Sequence, residues 1–208
     1  MHPEWLSNAY LVWDEGTRDA FFVDSGAPLE PLLEIVEGEG LDVRALLTTH
    51  THGDHVAGDA ELEERFGVKG TQQVEWAQSI ATPGHADDHV TFVVDDLCFS
   101  GDLLFKDAVG GGDAARVHES VLKLLQLPDE TRVLPGHTEE TTIGREREEN
   151  PFVRYWLGGV PSIDEPVLVG GKDATLVVWS PDYDGKGKAL VRLADGTEQI
   201  VGGSRVER

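Results

Sequence analysis

A single cysteine, Cys98, among 208 residues rules out an intrachain disulfide and points to a reducing compartment. Between Leu97 and Phe99 it reads as a small buried strand residue. Basic side chains are also scarce: 17 Lys and Arg stand against 39 Asp and Glu, a formal charge of −22. Such a field repels polyanions, so neither nucleic acid nor an anionic membrane is an expected partner. No apolar run approaches the ~20 residues of a membrane-spanning helix. Met1-His2-Pro3-Glu4 lacks the basic and apolar regions of a signal peptide, and a cytoplasmic protein is expected. The hydrophobic share, 39%, is ordinary, and a chain of this length can bury a sizeable core.

Against these scarcities stands a local excess of metal-ligand side chains. Thr48-Thr49-His50-Thr51-His52-Gly53-Asp54-His55 sets three imidazoles and a carboxylate directly after the apolar run Val43 to Leu47. Imidazole suits zinc, iron, nickel and copper, and a carboxylate adds hard oxygen and negative charge. Three more strand-like runs end in a small turn bearing a ligand-type residue. They are Ile80-Ala81-Thr82-Pro83-Gly84-His85, Leu97-Cys98-Phe99-Ser100-Gly101-Asp102 and Arg132-Val133-Leu134-Pro135-Gly136-His137. Strands that each deliver one residue at their C-terminal ends are how α/β proteins gather a site along one sheet edge. The candidate set is His50, His52, Asp54, His55, His85, Asp102 and His137. His89 reads as a strand-start or supporting residue, and His2 and His118 are set aside. Gly110-Gly111-Gly112 is too poorly placed for a phosphate loop and reads as a flexible segment beside the site.

Apolar patterning predicts strands over 8–14, 19–24, 43–48, 90–94, 97–100 and 132–134. Helices are predicted over 28–37, from Asp54 to Gly67, over 113–127 and over 141–150. Strands flanked by helices in this order suit a sheet sandwich covered on both sides. Residues 161–173, rich in glycine and proline, read as a linker, and 174–208 as a small β module of the SH3 kind with a hairpin at Asp195-Gly196. So short a unit rarely stands alone.

The ordered ligand set resembles the metallo-beta-lactamase superfamily over residues 8–157. Leu134-Pro135-Gly136-His137, Thr141-Thr142-Ile143-Gly144-Arg145-Glu146-Arg147 and Asn150-Pro151-Phe152 make it similar to short bacterial glyoxalase II-like, hydroxyacylglutathione hydrolase-type enzymes. The resemblance implies an α/β fold, an αββα sandwich over residues 1–160. It implies two divalent metal ions, zinc first, with iron or manganese as alternatives. His50, His52 and His85 would hold one, Asp54, His55 and His137 the other, and Asp102 would bridge them. The implied reaction is hydrolysis of a thioester, such as S-lactoylglutathione or a related small-thiol conjugate, by a metal-bridging hydroxide, with Asp54 and Asp102 as catalytic carboxylates. A small-molecule substrate is thus the expected partner, and a homodimer is compatible.

Two other functions stay open at this point. One is a mononuclear iron persulfide dioxygenase using His50, His85 and Asp102. The other is a non-catalytic binding protein whose β tail, through Trp179 and Tyr183, recognises a partner. Lys106, Arg145, Arg147 and Arg154 are candidates for holding an anionic substrate, with salt bridges as their competing role. The chain departs from its relatives in the short span between Gly67 and Thr82, and in carrying a β tail where larger glyoxalase II enzymes have a glutathione-binding helical domain.

Overall fold

The computed structural model describes residues 6–182 and 185–208; His2 and Tyr183 lie outside them. The chain begins with β1 (Tyr10–Trp13), β2 (Asp19–Val23), α1 (Glu30–Glu39), β3 (Asp42–Leu47), α2 (Gly53–Val56), α3 (Asp59–Phe66) and β4 (Gly70–Thr71). Next come β5 (Gln78–Ala81), β6 (Val90–Val94), β7 (Leu97–Gly101), β8 (Leu104–Phe105), β9 (Ala108–Val109), β10 (Gly112–Asp113) and α4 (Ala114–Leu124). β11 (Arg132–Pro135), β12 (Thr141–Thr142), α5 (Ile143–Glu149) and α6 (Pro151–Trp156) follow. The tail holds β13 (Glu165–Val169), β14 (Lys172–Ser180), β15 (Lys188–Leu193), β16 (Glu198–Gly202) and β17 (Val206–Glu207).

Alternation along the strands builds the expected sandwich. One sheet runs β1-β2-β3-β4 and a second β12-β11-β7-β6-β5. Phe21, Val23, Ala45 and Leu47 of the first meet Phe92 and Phe99 of the second in one core. Ala20, Phe22 and Leu46, on the opposite face, pack under Leu33 and Val36 of α1 and Leu62 of α3. Behind the second sheet, Cys98 and Val133 pack on Val117 and Val121 of α4 and Phe152 of α6. Parallel pairs β2–β3 and β7–β11 point several strand ends the same way, and the candidate ligands follow those ends.

Three local expectations are corrected. The helix expected from Asp54 is broken into α2 and α3, because the Gly58 N–H is held by the Ser25 carbonyl at 3.0 Å. Thr141 and Thr142 pair with β11 instead of opening a helix; Thr142 caps α5, and a further helix, α6, starts at Pro151 under the Asn150 side chain. The stretch 161–173, expected as a linker, contains β13. Gly170 and Gly171, both at positive φ (58° and 75°), make a two-residue hairpin turn to β14, with Val169 opposite Lys172, the geometry that Gly-Gly favours.

The tail forms a six-stranded sheet, β10-β16-β15-β14-β13-β17. That order does not carry the SH3-like description. β10 lends Gly112 and Asp113 to Ile200 and Gln199 of β16, and Val177, Leu190 and Ile200 share the core of α4 and α6. The tail therefore gets one apolar face covered by the sandwich, which a sheet this small needs. Trp179 is partly buried on the opposite face of the sheet, with Arg208 over its ring.

Candidate metal centre

Each candidate ligand follows the end of a strand, as the sequence indicates. His50, His52, Asp54 and His55 follow β3, with Asp54 and His55 in α2; His85 follows β5, Asp102 follows β7 and His137 follows β11. All seven converge. Three groups have ligand atoms within 4.8 Å of one another: His50, His52 and His85; His50, His55 and Asp102; and Asp54, His55 and His137.

On one side, His50 Nε2 and His85 Nε2 each lie 3.0 Å from His52 Nδ1. Two nitrogens bound to one tetrahedral zinc-like ion at ~2.0–2.1 Å stand roughly 3.3 Å apart, so this triangle is close to the size of a coordination shell. On the other side, His137 Nε2 is 3.4 Å and His55 Nε2 is 3.9 Å from Asp54 Oδ2. Asp102 reaches both sides, with Oδ2 3.5 Å from His85 Nε2 and 3.4 Å from His137 Nε2, and Oδ1 3.3 Å from His55 Nε2. His55 Nε2 and Asp102 Oδ1 are fully buried without a hydrogen bond. Leaving such atoms without a partner costs ~1–3 kcal/mol; a proton held between the two, 3.3 Å apart, answers that need in the metal-free chain, and a cation between them would satisfy both in its place. The donor set thus fits divalent metal ions.

The outward nitrogens are held in place. His85 Nδ1 donates to the Gly111 carbonyl at 2.9 Å and His137 Nδ1 to that of Leu6 at 3.0 Å, which aims each Nε2 inward. Asp24 does the same for His55, accepting from Nδ1 at 2.7 Å. It also accepts from the Thr49 N–H and Oγ1, both at 2.8 Å, and Thr49 Oγ1 in turn lies 3.1 Å from His50 Nδ1. One buried carboxylate therefore orients an imidazole on each side, the kind of outer partner that metal-binding histidines use. Asp24 is absent from the sequence-derived set. Its signal was available: Val23-Asp24-Ser25-Gly26 repeats the pattern of an apolar strand ending in a carboxylate beside glycine.

His89 is a support. Its Nε2 accepts from the Asp102 N–H at 3.0 Å, and Nδ1 donates to Thr82 Oγ1 at 2.9 Å. The Gly110–Gly112 segment is hydrogen-bonded into the site and the tail sheet, correcting the expectation of a flexible stretch. Gly136 has no room for a side chain: a Cβ there would sit 2.4 Å from Asp102 Oδ1 and 2.6 Å from His55 Cε1.

Charge separates the two sides. Burial, reinforced by neighbouring His55, pushes His50 down to about 2, and burial also lowers His85. Burial would lower His55 as well, but Asp102 and Asp24 override it and raise it to about 10. His137, against the same burial, is raised to about 9 by Asp102 and Asp54. For Asp102, burial opposes ionisation, yet His137 and His55 hold its carboxyl well below the usual range.

The proposed anion clamps are largely engaged elsewhere. Arg145 pairs with Asp107, Glu146 and Glu149 at 2.6–2.8 Å, Arg147 with Asp129, and Lys106 with Glu139.

A family profile for the metallo-beta-lactamase superfamily matches residues 2–79. The hydroxyacylglutathione hydrolase GloC of Haemophilus influenzae is 29% identical over 196 residues, 70% of this chain and 92% of that protein. Among solved structures, ETHE1 from Myxococcus xanthus is 30% identical with a TM-score of 0.64, covering 73% of this chain and 81% of the other. TTHA1623, solved in a di-iron-bound form, is 32% identical with a TM-score of 0.65, covering 73% and 97%. Fold, ordered ligand set and these likenesses agree: the chain belongs to the metallo-beta-lactamase superfamily.

Proposed function

We propose that the chain is a binuclear metal-dependent hydrolase acting on the thioester of a small acidic thiol, S-lactoylglutathione or a close relative. The observation that carries the reading is the pair of three-residue groups, His50, His52, His85 and Asp54, His55, His137, with Asp102 within 3.5 Å of both. The first group would hold one divalent ion, zinc in the first instance, and the second group another, with Asp102 shared between them. Bound there, such ions supply Lewis acidity and lower the pKa of water from 15.7 toward about 7. The hydroxyacylglutathione hydrolase relatives support a thioester as substrate.

The chain's own part is positioning. Asp24, Leu6 and Gly111 fix which imidazole nitrogen faces the cluster. His89 fixes Asp102 through its backbone N–H, so the carboxylate oxygens stay free for the cluster. Asp54, with a side chain 29% exposed against 8% for Asp102, is the carboxylate open to entering water, and it can accept that water's proton.

Metal analysis on protein purified without added metal, paired with thiol release from S-lactoylglutathione, tests the proposal. Two ions per chain with thiol release is the expected result. One iron per chain with thiol-dependent oxygen uptake and sulfite formation would replace it with the persulfide dioxygenase reading.

A further inference from the structure

Beside the metal centre, at the β10 edge of the tail sheet, lies a cleft of about 460 Å³ whose lining includes His85, Gly111, Gly112, Lys188, Ile200 and Arg205. The backbone pairing of Gly112 with Ile200 fixes this juxtaposition. Most charges in the cleft are engaged. Asp113 caps α4, Glu198 pairs with Arg192, and Lys188 pairs with Asp182 at 3.0 Å. Arg205 is exposed and makes no ion pair among the described residues. A second cleft, of about 770 Å³, shares Asp113, Thr197 and Glu198 with it and is lined also by His118 and Trp156, whose rings stack with centroids 4.6 Å apart.

We propose that this cleft receives the thiol part of the substrate, and that Arg205 binds a carboxylate on it. The inference rests on the thioester reading. Because His85 lines both the cluster and the cleft, a substrate whose carbonyl reaches the cluster there can extend its remaining atoms into the cleft, whose volume lies in the ~300–1,000 Å³ range of small-molecule sites. On a chain of charge −22 an acidic substrate is repelled by most of the surface. A guanidinium at the cleft wall offers the local attraction, and its planar fork matches a carboxylate bidentately. The tail sheet is then part of the substrate site, and Arg205 its specificity-determining residue.

Calorimetric titration of the metal-loaded full chain with S-propylglutathione, a thioether that cannot be hydrolysed, tests this directly. The uncharged thioether N-acetyl-S-propylcysteamine is the control. Arg205→Ala is expected to weaken binding of the acidic thioether about fivefold, or ~1 kcal/mol, as suits an exposed ion pair. Arg205→Lys should retain part of the affinity, and the neutral thioether should bind both proteins alike. An unchanged Kd for the acidic thioether in Arg205→Ala overturns the proposal. So does an equal loss for both thioethers, or no binding of S-propylglutathione by the unaltered protein. Binding that depends on Arg205 without turnover of any thioester would keep the cleft and remove the hydrolase reading.

Discussion

The two sides of the cluster use the same side chain in opposite electrical settings. Around His50 and His85, burial dominates and lowers both, so these two imidazoles are neutral lone-pair donors at neutral pH. Around His55 and His137, the carboxylates of Asp24, Asp54 and Asp102 outweigh burial, and both imidazoles are raised. Identical ligands thus differ through the carboxylates near them. On the proposed assignment, a cation at the first side would displace no proton from His50 or His85, whereas one at the second would have to exchange the protons that His55 and His137 attract. Asp102, touching both, is the place to break the contrast.

Asp102→Ala should have the largest effect. On the proposed assignment it removes the carboxylate shared by both ions, and kcat should fall roughly a thousandfold, a few kcal/mol of transition-state stabilisation. Metal content measured alongside should drop on both sides; retention of two tightly held ions would mean that Asp102 is no bridge. Asp24→Asn comes next. An amide can accept at one oxygen only, so the His55 Nδ1–H and the Thr49 donors compete for it, and metal affinity should weaken about 10–100-fold. A chelator competition giving the affinity of the unaltered protein would show that Asp24 orients nothing.

Asp24 also marks what the sequence left hidden. The seven ligand candidates were legible because they cluster in sequence or sit in Gly-His and Gly-Asp turns after apolar runs. Asp24 lies far upstream, and its role comes from a left-handed turn (φ 55°) that puts the carboxylate under both His55 and Thr49. Asp tolerates that conformation better than most residues. His89 was legible as a support but not as the acceptor of the Asp102 N–H, which depends on β6 and β7 lying side by side. In the tail, Gly170-Gly171 read as linker because composition weighs glycine as disorder; their positive φ values make them a hairpin turn. Ion pairing hid the fate of Arg145, since Asp107 approaches it only through the fold.

A smaller test concerns space. Gly136→Ala puts a methyl against Asp102 Oδ1 and His55 Cε1, and such overpacking costs ~1–3 kcal/mol. The expected outcome is a lower melting midpoint together with weaker metal binding on the side of His55, while the triangle at His52 is kept. If the ion at His50, His52 and His85 were lost first, the two sides would not be separable as described.

The smallest effect is the sharpest probe of the contrast. In the metal-free chain at pH 8, His55, raised to about 10, and His137, raised to about 9, hold protons, while His50, near 2, does not. A cation entering beside Asp54 must therefore expel roughly two protons, because a ligating imidazole has to be neutral. A cation entering at His52 expels none from His50. Calorimetric titration in two buffers of different ionisation enthalpy counts them, and the release should fade as pH rises through 9 and 10. The same raised values set the stability of the metal-free chain. Groups whose folded pKa lies above their ordinary 6.5 stabilise fully below 6.5 and lose that contribution as pH climbs through the folded values. The melting midpoint of metal-free protein should accordingly fall between pH 6.5 and 10, and the fall should shrink once metal is bound. Equal proton release from both sides would show that the carboxylates do not divide the cluster.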